Sequence, residues 1–362
     1  MRIFTAITGF LLCLSAGNAS AQRSYKSNSV LNSGLWGKIA VKQAGIYKVD
    51  IAFLTELGLY ASGISSNTIR LFGNGGNMLS ETNADKPVDD LAENPILVVD
   101  GGDGIFNGGD YFLFYAAGPD RWLNDSVNKR FRHQKHLYSD SAYYFVTTSG
   151  IGKRIASVQI NTPPTVTVNS FNDRIFHELD SVNLLSSGKE WLGEDFADVP
   201  GKTLSRSFSV SIPNFIVNAP ATLVSNCVAR SINVASRFDV RINNQLVQQI
   251  SIPSTGAGIY DLFAQQSQQL SEILLPQESL QINYTYVPGS FNAQGWLNFF
   301  EIHARRNLVL GSQLSFRDWN SVGTNSCEFV VNNTTSTTQV WEVTDPLTPV
   351  RMLGNYSTNE FR

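Results

Sequence analysis

The stretch Ala221–Ile252 reads ATLVSNCVARSINVASRFDVRINNQLVQQISI and decides the fold class. It contains three runs rich in apolar and β-branched residues: Ala221–Arg230, Ser236–Ile242 and Gln245–Ile252. Ser and Asn residues, which favour turns, separate the runs. Short strands bounded by turn residues at this spacing are typical of antiparallel sandwiches.

The same pattern continues on both sides of this stretch. Further strand candidates are Arg206–Ile212, Ser279–Tyr286, Gly295–Arg305, Cys327–Val331 and Thr338–Val343. Only Gly258–Leu274 could hold a helix, although its Gln-Gln-Ser-Gln-Gln segment is polar. We therefore predict a jelly-roll-like antiparallel β-sandwich over residues 165–349. Residues 350–362 are interpreted as the truncated start of a following region.

The chain before the sandwich is also β-rich, and we predict a separate N-terminal domain over residues 22–160. Asp50 is expected to cap one short helix, Ile51–Leu57, which Gly58 ends. The alternating runs Lys38–Lys42 and Gly45–Val49 are interpreted as a hairpin. The other predicted strands are Thr68–Phe72, Ile96–Val99, Tyr111–Ala116 and Ala142–Thr147. The run Ile96–Val99 is apolar throughout, which predicts burial on both faces.

The first 21 residues have the pattern of a signal peptide. Arg2 supplies the positive charge, Ile3–Ala16 is a short apolar run, and Ala19-Ser20-Ala21 is a small-x-small cleavage site. The mature protein is then expected to begin at Gln22. No other apolar run approaches the roughly 20 residues of a membrane helix. We expect an exported chain that is either soluble or held at a surface by partners.

Composition agrees with an exported β-protein. The chain has 362 residues, of which 42% are hydrophobic and 16% are charged, and its net charge is −3. This charge balance gives no electrostatic reason to expect nucleic-acid binding.

The loop DGGDGIFNGGDYFLFY, Asp100–Tyr115, allows more than one interpretation. Asp100, Asp103 and Asp110 could offer oxygen ligands to calcium, but the spacing is not that of an EF-hand. No helix and no Gly-Lys-Ser/Thr follow, so a phosphate loop is excluded. The favoured interpretation is a turn between two strands, with Asp and Asn bonding their own backbone.

Two cysteines, Cys227 and Cys327, remain after cleavage of the leader. An even pair in an oxidising compartment is consistent with one disulfide, and two separate buried thiols are the alternative. Both lie in strand-like stretches without a nucleophile motif, so a structural role is favoured over catalysis.

The remaining candidates for chemistry are weak. The basic stretch Lys129–His136 could meet an anionic partner or glycan, or it could be a solvated loop. His177 and His303 are interpreted as structural. The acidic group Glu190, Glu194 and Asp195 could suggest a glycosidase, but spacing along the chain does not establish that geometry.

Several segments, taken in order, resemble the N-terminal region of the type IX secretion system sortase family, the PorU type. They include GLWGKIAV (34–41), GIYKV (45–49), NTIRLFGNGGNML (67–79), GIFNGGDYFLFY (104–115), LYSDSAYYF (137–145), SGKEWLGE (187–194) and VWEVTDP (340–346). The ordered set spans nearly the whole mature chain.

The resemblance implies a role at the outer membrane surface. Full-length family members are gingipain-like cysteine peptidases that remove C-terminal sorting domains from secreted cargo. Their partners are an outer-membrane barrel protein and other components of the attachment complex. The catalytic Cys and His of the family belong to a peptidase domain that follows the segment 340–346. No catalytic residue and no cofactor are therefore carried over to this chain.

A stand-alone adhesin or carbohydrate-binding sandwich is the alternative function. It would need an exposed row of aromatic rings, for which Trp191, Trp296 and Trp319 are the candidates, or a calcium-dependent face.

Overall fold

The fold is mainly β in a computed structural model that describes residues 25–60, 63–85 and 88–362. The predicted signal peptide, residues 1–21, lies outside the described residues. The one α-helix of the described chain, α1, spans Ile51–Glu56, and short 3-10 turns span Val30–Asn32, Ser66–Thr68 and Trp319–Ser321. The helix begins as predicted, because the Asp50 carboxylate accepts a hydrogen bond from the N–H of Phe53 at 3.1 Å.

The strands of the first region are β1 (Gly37–Val41), β2 (Gly45–Asp50), β3 (Ile64–Ser65), β4 (Arg70–Phe72), β5 (Glu93–Asn94), β6 (Leu97–Val99), β7 (Ile105–Phe106), β8 (Tyr111–Ala116), β9 (Arg121–Asp125), β10 (Arg130–Gln134), β11 (Ala142–Thr147) and β12 (Ala156–Gln159).

The later strands are β13 (Val166–Val168), β14 (Ser170–Glu178), β15 (Asp195–Ala197), β16 (Ser205–Ser211), β17 (Pro220–Arg230), β18 (Ser236–Ile242), β19 (Gln245–Ile252), β20 (Gln265–Leu274), β21 (Ser279–Val287), β22 (Gln294–Asn307), β23 (Cys327–Phe329), β24 (Val331–Asn332), β25 (Val340–Glu342), β26 (Val350–Leu353), β27 (Tyr356–Ser357) and β28 (Glu360–Phe361).

Two antiparallel sheets enclose the core of the first region. Their strand orders are β1-β11-β4-β5 and β2-β8-β6. The core is aromatic and aliphatic, and Phe112, Phe114 and Tyr144 are almost fully buried in it. The predicted β1–β2 hairpin is wrong, because β1 pairs with β11 and β2 pairs with β8. Strands that follow each other along the chain pair in only about two-thirds of cases, so two neighbouring runs do not establish a hairpin.

Burial on both faces of Ile96–Val99 is also wrong. Ile96 is buried, but strand β6 is an edge strand that pairs only with β8, and Val99 is 37% exposed. An apolar run of this length cannot by itself distinguish a central strand from an edge strand.

The predicted sandwich is present in the second region. One sheet has the order β14-β22-β17-β20, with β15 also paired to β22, and the facing sheet has the order β16-β21-β18-β19. All these pairs are antiparallel. The space between the sheets is filled by a large apolar cluster that includes Phe238, Tyr284 and Phe300. The helical possibility for Gly258–Leu274 is wrong, since β20 occupies most of it and its alternate residues face water.

Strands from the end of the chain pair with strands at the junction between the two regions. The parallel pairs are β12 with β26 and β13 with β23. Within the segment Val350–Arg362, β28 pairs with the earlier strand β24 and with β27 of the same segment. The chain after the sandwich therefore joins both regions. The predicted domain limits themselves remain a prediction.

Candidate functional site

The hairpin β9–β10 of the first region packs on the outer face of the sandwich sheet, against β14 and β22. Alternate residues of a strand point to opposite faces, so Phe131 and His133 of β10 face the sandwich together. Phe131 is 6% exposed and the His133 side chain only 2%. We call this contact the hairpin interface, and it is the best-defined polar site of the described chain.

His133 is the central charged group of the hairpin interface. Its Nδ1 lies 3.1 Å from the Glu178 carboxylate, and its Nε2 lies 3.4 Å from the Asp120 carboxylate. The longer contact is an ion pair without good hydrogen-bond geometry. The backbone N–H of His133 donates to Oε1 of Glu301 at 2.8 Å. A ring with a carboxylate at each nitrogen favours the doubly protonated form.

The protonation of these groups follows from their surroundings. Burial alone lowers the pKa of His133, but its close contacts with the Asp120 and Glu178 carboxylates outweigh burial and raise the pKa above its ordinary value. Burial raises the pKa of Asp120, whereas His133 and the N–H of His136 lower it more. The net pKa of the Asp120 carboxyl is therefore below its ordinary value. Each partner favours the charged form of the other.

Aromatic rings surround the imidazole on the sandwich side. The His133 ring stacks on Phe176, with centroids 3.4 Å apart and planes 19° apart. Trp122 meets both rings edge to face, at 5.0 Å from His133 and 5.6 Å from Phe176. The Arg174 guanidinium lies 4.4 Å from the Trp122 ring centre and 4.7 Å from that of Phe131. Ring faces thus stabilise a second, half-buried cation.

The segment that follows strand β22 completes the interface. Trp319 stacks on Phe131 with centroids 5.3 Å apart and planes 20° apart. The preceding Asp318 is buried, and its carboxylate pairs with Arg305 of β22 at 2.7 Å. The hairpin is therefore held between the sandwich and the chain that follows it. Such an arrangement can fix the two β-rich regions relative to each other.

Of the two possibilities left open for the cysteines, the disulfide is absent, and the Cys227 and Cys327 thiols are both free. Cys227 lies in the main sandwich core, whereas Cys327 packs at a second cluster with Val168, Phe171 and Leu308. Burial raises the pKa of each thiol, so both are protonated at neutral pH. A protonated thiol is a poor nucleophile, so neither residue is a catalytic candidate.

The loop Asp100–Tyr115 forms the turns that we expected. Asp100 accepts a hydrogen bond from the N–H of Gly102 at 3.0 Å, and Asp103 accepts one from Ile105 at 2.8 Å. Asp110 accepts one from the N–H of Asn107 at 2.7 Å. In the part of the chain that the structure describes, no three His, Cys, Asp or Glu side chains are grouped as metal ligands.

The acidic group of residues 190–195 is dispersed among different partners. Glu194 lies 2.8 Å from Nε2 of His177, and Asp195 pairs with Arg206 and Lys202. Glu190 is exposed. Two of the three carboxylates are thus engaged by different partners, Glu194 by His177 and Asp195 by two basic side chains.

The three tryptophans do not form the exposed row that a glycan-binding sandwich would need. Trp296 is 4% exposed and packs with Leu192 and Val228. Trp319 is stacked in the hairpin interface, and only Trp191, at 37%, is exposed. The aromatic-row form of the carbohydrate-binding alternative is therefore wrong, and its calcium-dependent form stays a prediction.

The interpretation of Lys129–His136 as a solvated loop is wrong, because most of it is strand β10. The sequence did contain a signal, since Phe131 and His133 alternate with Arg130 and Arg132 as in a half-buried strand. The partners of His133 on the sandwich are far away in the chain, and no sequence pattern indicated them.

In comparisons with known proteins, the fold of this chain matches that of a solved structure over most of its length. No family model and no curated protein match the chain. The crystal structure of dimeric latent PorU from Porphyromonas gingivalis matches at a TM-score of 0.75 and 20% identity, over 92% of this chain and 30% of that chain. The fold is therefore that of a PorU-like β-rich region, and the aligned part spans under a third of PorU.

Further solved structures match at much lower TM-scores. A carbohydrate-binding module of family CBM36 in complex with calcium and xylotriose matches 36% of this chain at a TM-score of 0.21 and 10% identity. The insecticidal delta-endotoxin Cry8Ea1 from Bacillus thuringiensis matches 75% at 0.25 and 10% identity. Likenesses this weak do not bear on function.

Proposed function

We propose that this chain is the N-terminal, non-catalytic region of a PorU-like sortase of the type IX secretion system. Its function is to support or dock the cysteine peptidase domain that removes sorting domains from secreted cargo. The observation that carries the proposal is the PorU-like fold over 92% of the chain. The ordered segments that resemble the sortase family point in the same direction.

The hairpin interface is consistent with a supporting role. Ion pairs and stacked rings join the first region to the sandwich, and Trp319 adds the segment that follows. A support must hold its domains in a fixed arrangement, because a peptidase positioned at a surface depends on that geometry. Both free cysteines are protonated at neutral pH, so this region offers no thiolate of its own.

The proposed location is the outer membrane surface, after export through the signal peptide. The proposed partners are an outer-membrane barrel protein, the other components of the attachment complex and the secreted cargo. Within the described residues, no helix is long and apolar enough to span a membrane.

The proposal is tested by an in-frame deletion of the codons for residues 22–349 in the native gene. We expect secreted cargo to keep its C-terminal sorting domain, which mass spectrometry of cell-surface and medium fractions detects. Re-expression of the intact gene should restore processing. Normal cargo processing in the deletion strain would contradict the proposal.

A further inference from the structure

One seam of the sandwich is open. Strand β16 is the edge of one sheet and β14 is the edge of the facing sheet, and no ladder joins them within the described chain. A cleft of about 480 Å³ lies between the two edges. The opposite seam is closed, because Ser267 of β20 donates to the carbonyl of Ser251 of β19 at 2.8 Å.

The cleft opens onto the main core of the sandwich. Ile175, Phe208 and Val210 pack against that core but are only partly buried. His177 and Phe300 also line the cleft. Apolar side chains that would be covered by one more strand are thus left partly exposed to solvent.

The register of β16 shows which of its backbone groups are free. The N–H of Tyr286 donates to Leu204 at 2.8 Å, and the N–H of Ile212 donates to Glu278 at 2.9 Å. In an antiparallel ladder such bonded pairs recur at every second residue. The even-numbered residues of β16 therefore bond to β21.

The odd-numbered residues of β16 direct their backbone groups away from β21. Ser207, Ser209 and Ser211 each turn an N–H and a C=O outward, and no partner within the described residues bonds to them. Strand β14 shows the same alternation, with its even-numbered residues turned outward. At one end, the outward N–H of Asn172 already donates to the carbonyl of Arg317 at 3.0 Å. Farther along β14, the outward groups of Phe176 border the cleft.

We infer that this seam binds an extended, uncharged polypeptide segment of a partner protein, which adds a strand to β16. Backbone groups repeating at every second residue match another strand and give affinity, while the partly buried Ile175, Phe208 and Val210 select side chains at alternate positions. His177 is the only ionisable residue that lines the cleft, and it already pairs with Glu194 at 2.8 Å. The side chains that line the cleft include no carboxylate, Lys or Arg to compensate for lost hydration, which favours an uncharged segment over a charged one.

This binding site goes beyond the proposed support function and does not depend on it. A sheet edge of this kind is usually protected by charge, proline or a covering segment. Strand β16 has only small serines on its solvent-facing side, and its sole charged residue, Arg206, pairs with Asp195 at 3.0 Å.

The test is peptide binding to the purified chain. The probe is an acetylated and amidated peptide in which Val and Thr alternate over the length of β16, with one Lys outside each end for solubility. Hydrogen–deuterium exchange should show slower exchange in the segment 205–211 when the peptide is added. Unchanged exchange there, or protection only elsewhere, would overturn the inference.

A pair of variants isolates the backbone contribution. Ser209→Pro removes one outward N–H but leaves the ladder to β21 intact, and proline is tolerated on edge strands. Ser209→Ala loses the same hydroxyl, which accepts from Gln281 at 2.7 Å, but keeps the N–H. We expect proline to weaken peptide binding about tenfold or more and alanine to change it less than about twofold.

Circular dichroism and thermal unfolding confirm that each variant is folded. Equal binding by both variants would overturn the inference. If the wild-type chain dimerises and Ser209→Pro abolishes the dimer, the occupant is a second copy of this chain and the proposed partner is wrong. Should the proline variant fail to fold, the exchange experiment on the wild-type chain decides.

Discussion

Replacing His133 by phenylalanine isolates the charge of the hairpin interface from its packing. The new ring can keep the stack on Phe176, but it can neither hydrogen-bond to Glu178 nor form an ion pair with Asp120. Removing one partner of a buried ion pair costs about 3–5 kcal/mol. The two carboxylates are 17% and 29% exposed, so solvent screens part of this energy and we expect a loss of about 3 kcal/mol.

The effect should depend on pH with a definite sign. The folded-state pKa of His133 is raised, so its contribution is fully present below the unfolded pKa of about 6.5 and is lost as pH rises through the folded value. The stability difference between wild type and His133→Phe should therefore be largest near about pH 6 and shrink near about pH 9. At strongly acidic pH, protonation of Asp120 removes its share as well.

The assay is urea unfolding followed by tryptophan fluorescence, to which Trp122 in the interface contributes. Arg132→Gln is the matched control, because Arg132 lies on the opposite, exposed face of the same strand. We expect the control to change stability by less than about 0.5 kcal/mol. A difference for His133→Phe below about 1 kcal/mol near neutral pH, or one that is independent of pH, would refute the reasoning.

Three further predictions test the fold. Tyr284→Phe removes a buried hydrogen bond of 2.6 Å and should lower the free energy of unfolding by about 1–2 kcal/mol, measured by denaturant titration; no loss would contradict it. Gly76→Ala should destabilise by more than about 2 kcal/mol, because φ is 80° and the added Cβ would overlap neighbouring backbone, whereas Gly108→Ala, in open space, should be nearly neutral in the same titration. Mass spectrometry of the unreduced chain should show Cys227 and Cys327 unlinked, and a cross-linked peptide would disprove the free thiols.

Local signals made the sandwich readable from sequence. The bounds of Ser236–Ile242 and Gln245–Ile252 were predicted without error, because Asn243 and Asn244 form the two-residue turn between them. Their φ angles are 48° and 70°, which asparagine tolerates better than most residues. The alternation of buried and exposed positions then fixes each strand.

Pairing between distant strands was not readable in the same way. The runs that became β1 and β2 look like a hairpin, but they pair with β11 and β8, which lie far away in the chain. The sequence did not indicate strand β20, because most of its residues are exposed or half-buried. Its Gln-rich sequence therefore lacks the alternation of apolar and polar residues that marks a strand.

The hairpin interface shows the same limit for sites. His133 meets Glu178, which is 45 residues away, and Glu301, which is 168 residues away. A basic stretch on its own predicts solvent exposure, and only tertiary packing turns it into a buried strand with carboxylates on both sides.

The mass of the native protein shows directly whether this chain is part of a longer sortase. An antibody to this region is used on outer-membrane fractions, and the detected band is cut out for peptide mass spectrometry. If the chain is part of a longer PorU-like sortase, we expect a band far above the 39.9 kDa of this chain, with peptides of a cysteine peptidase domain in the same band. A band at or just below that mass, without such peptides, would contradict the proposed function.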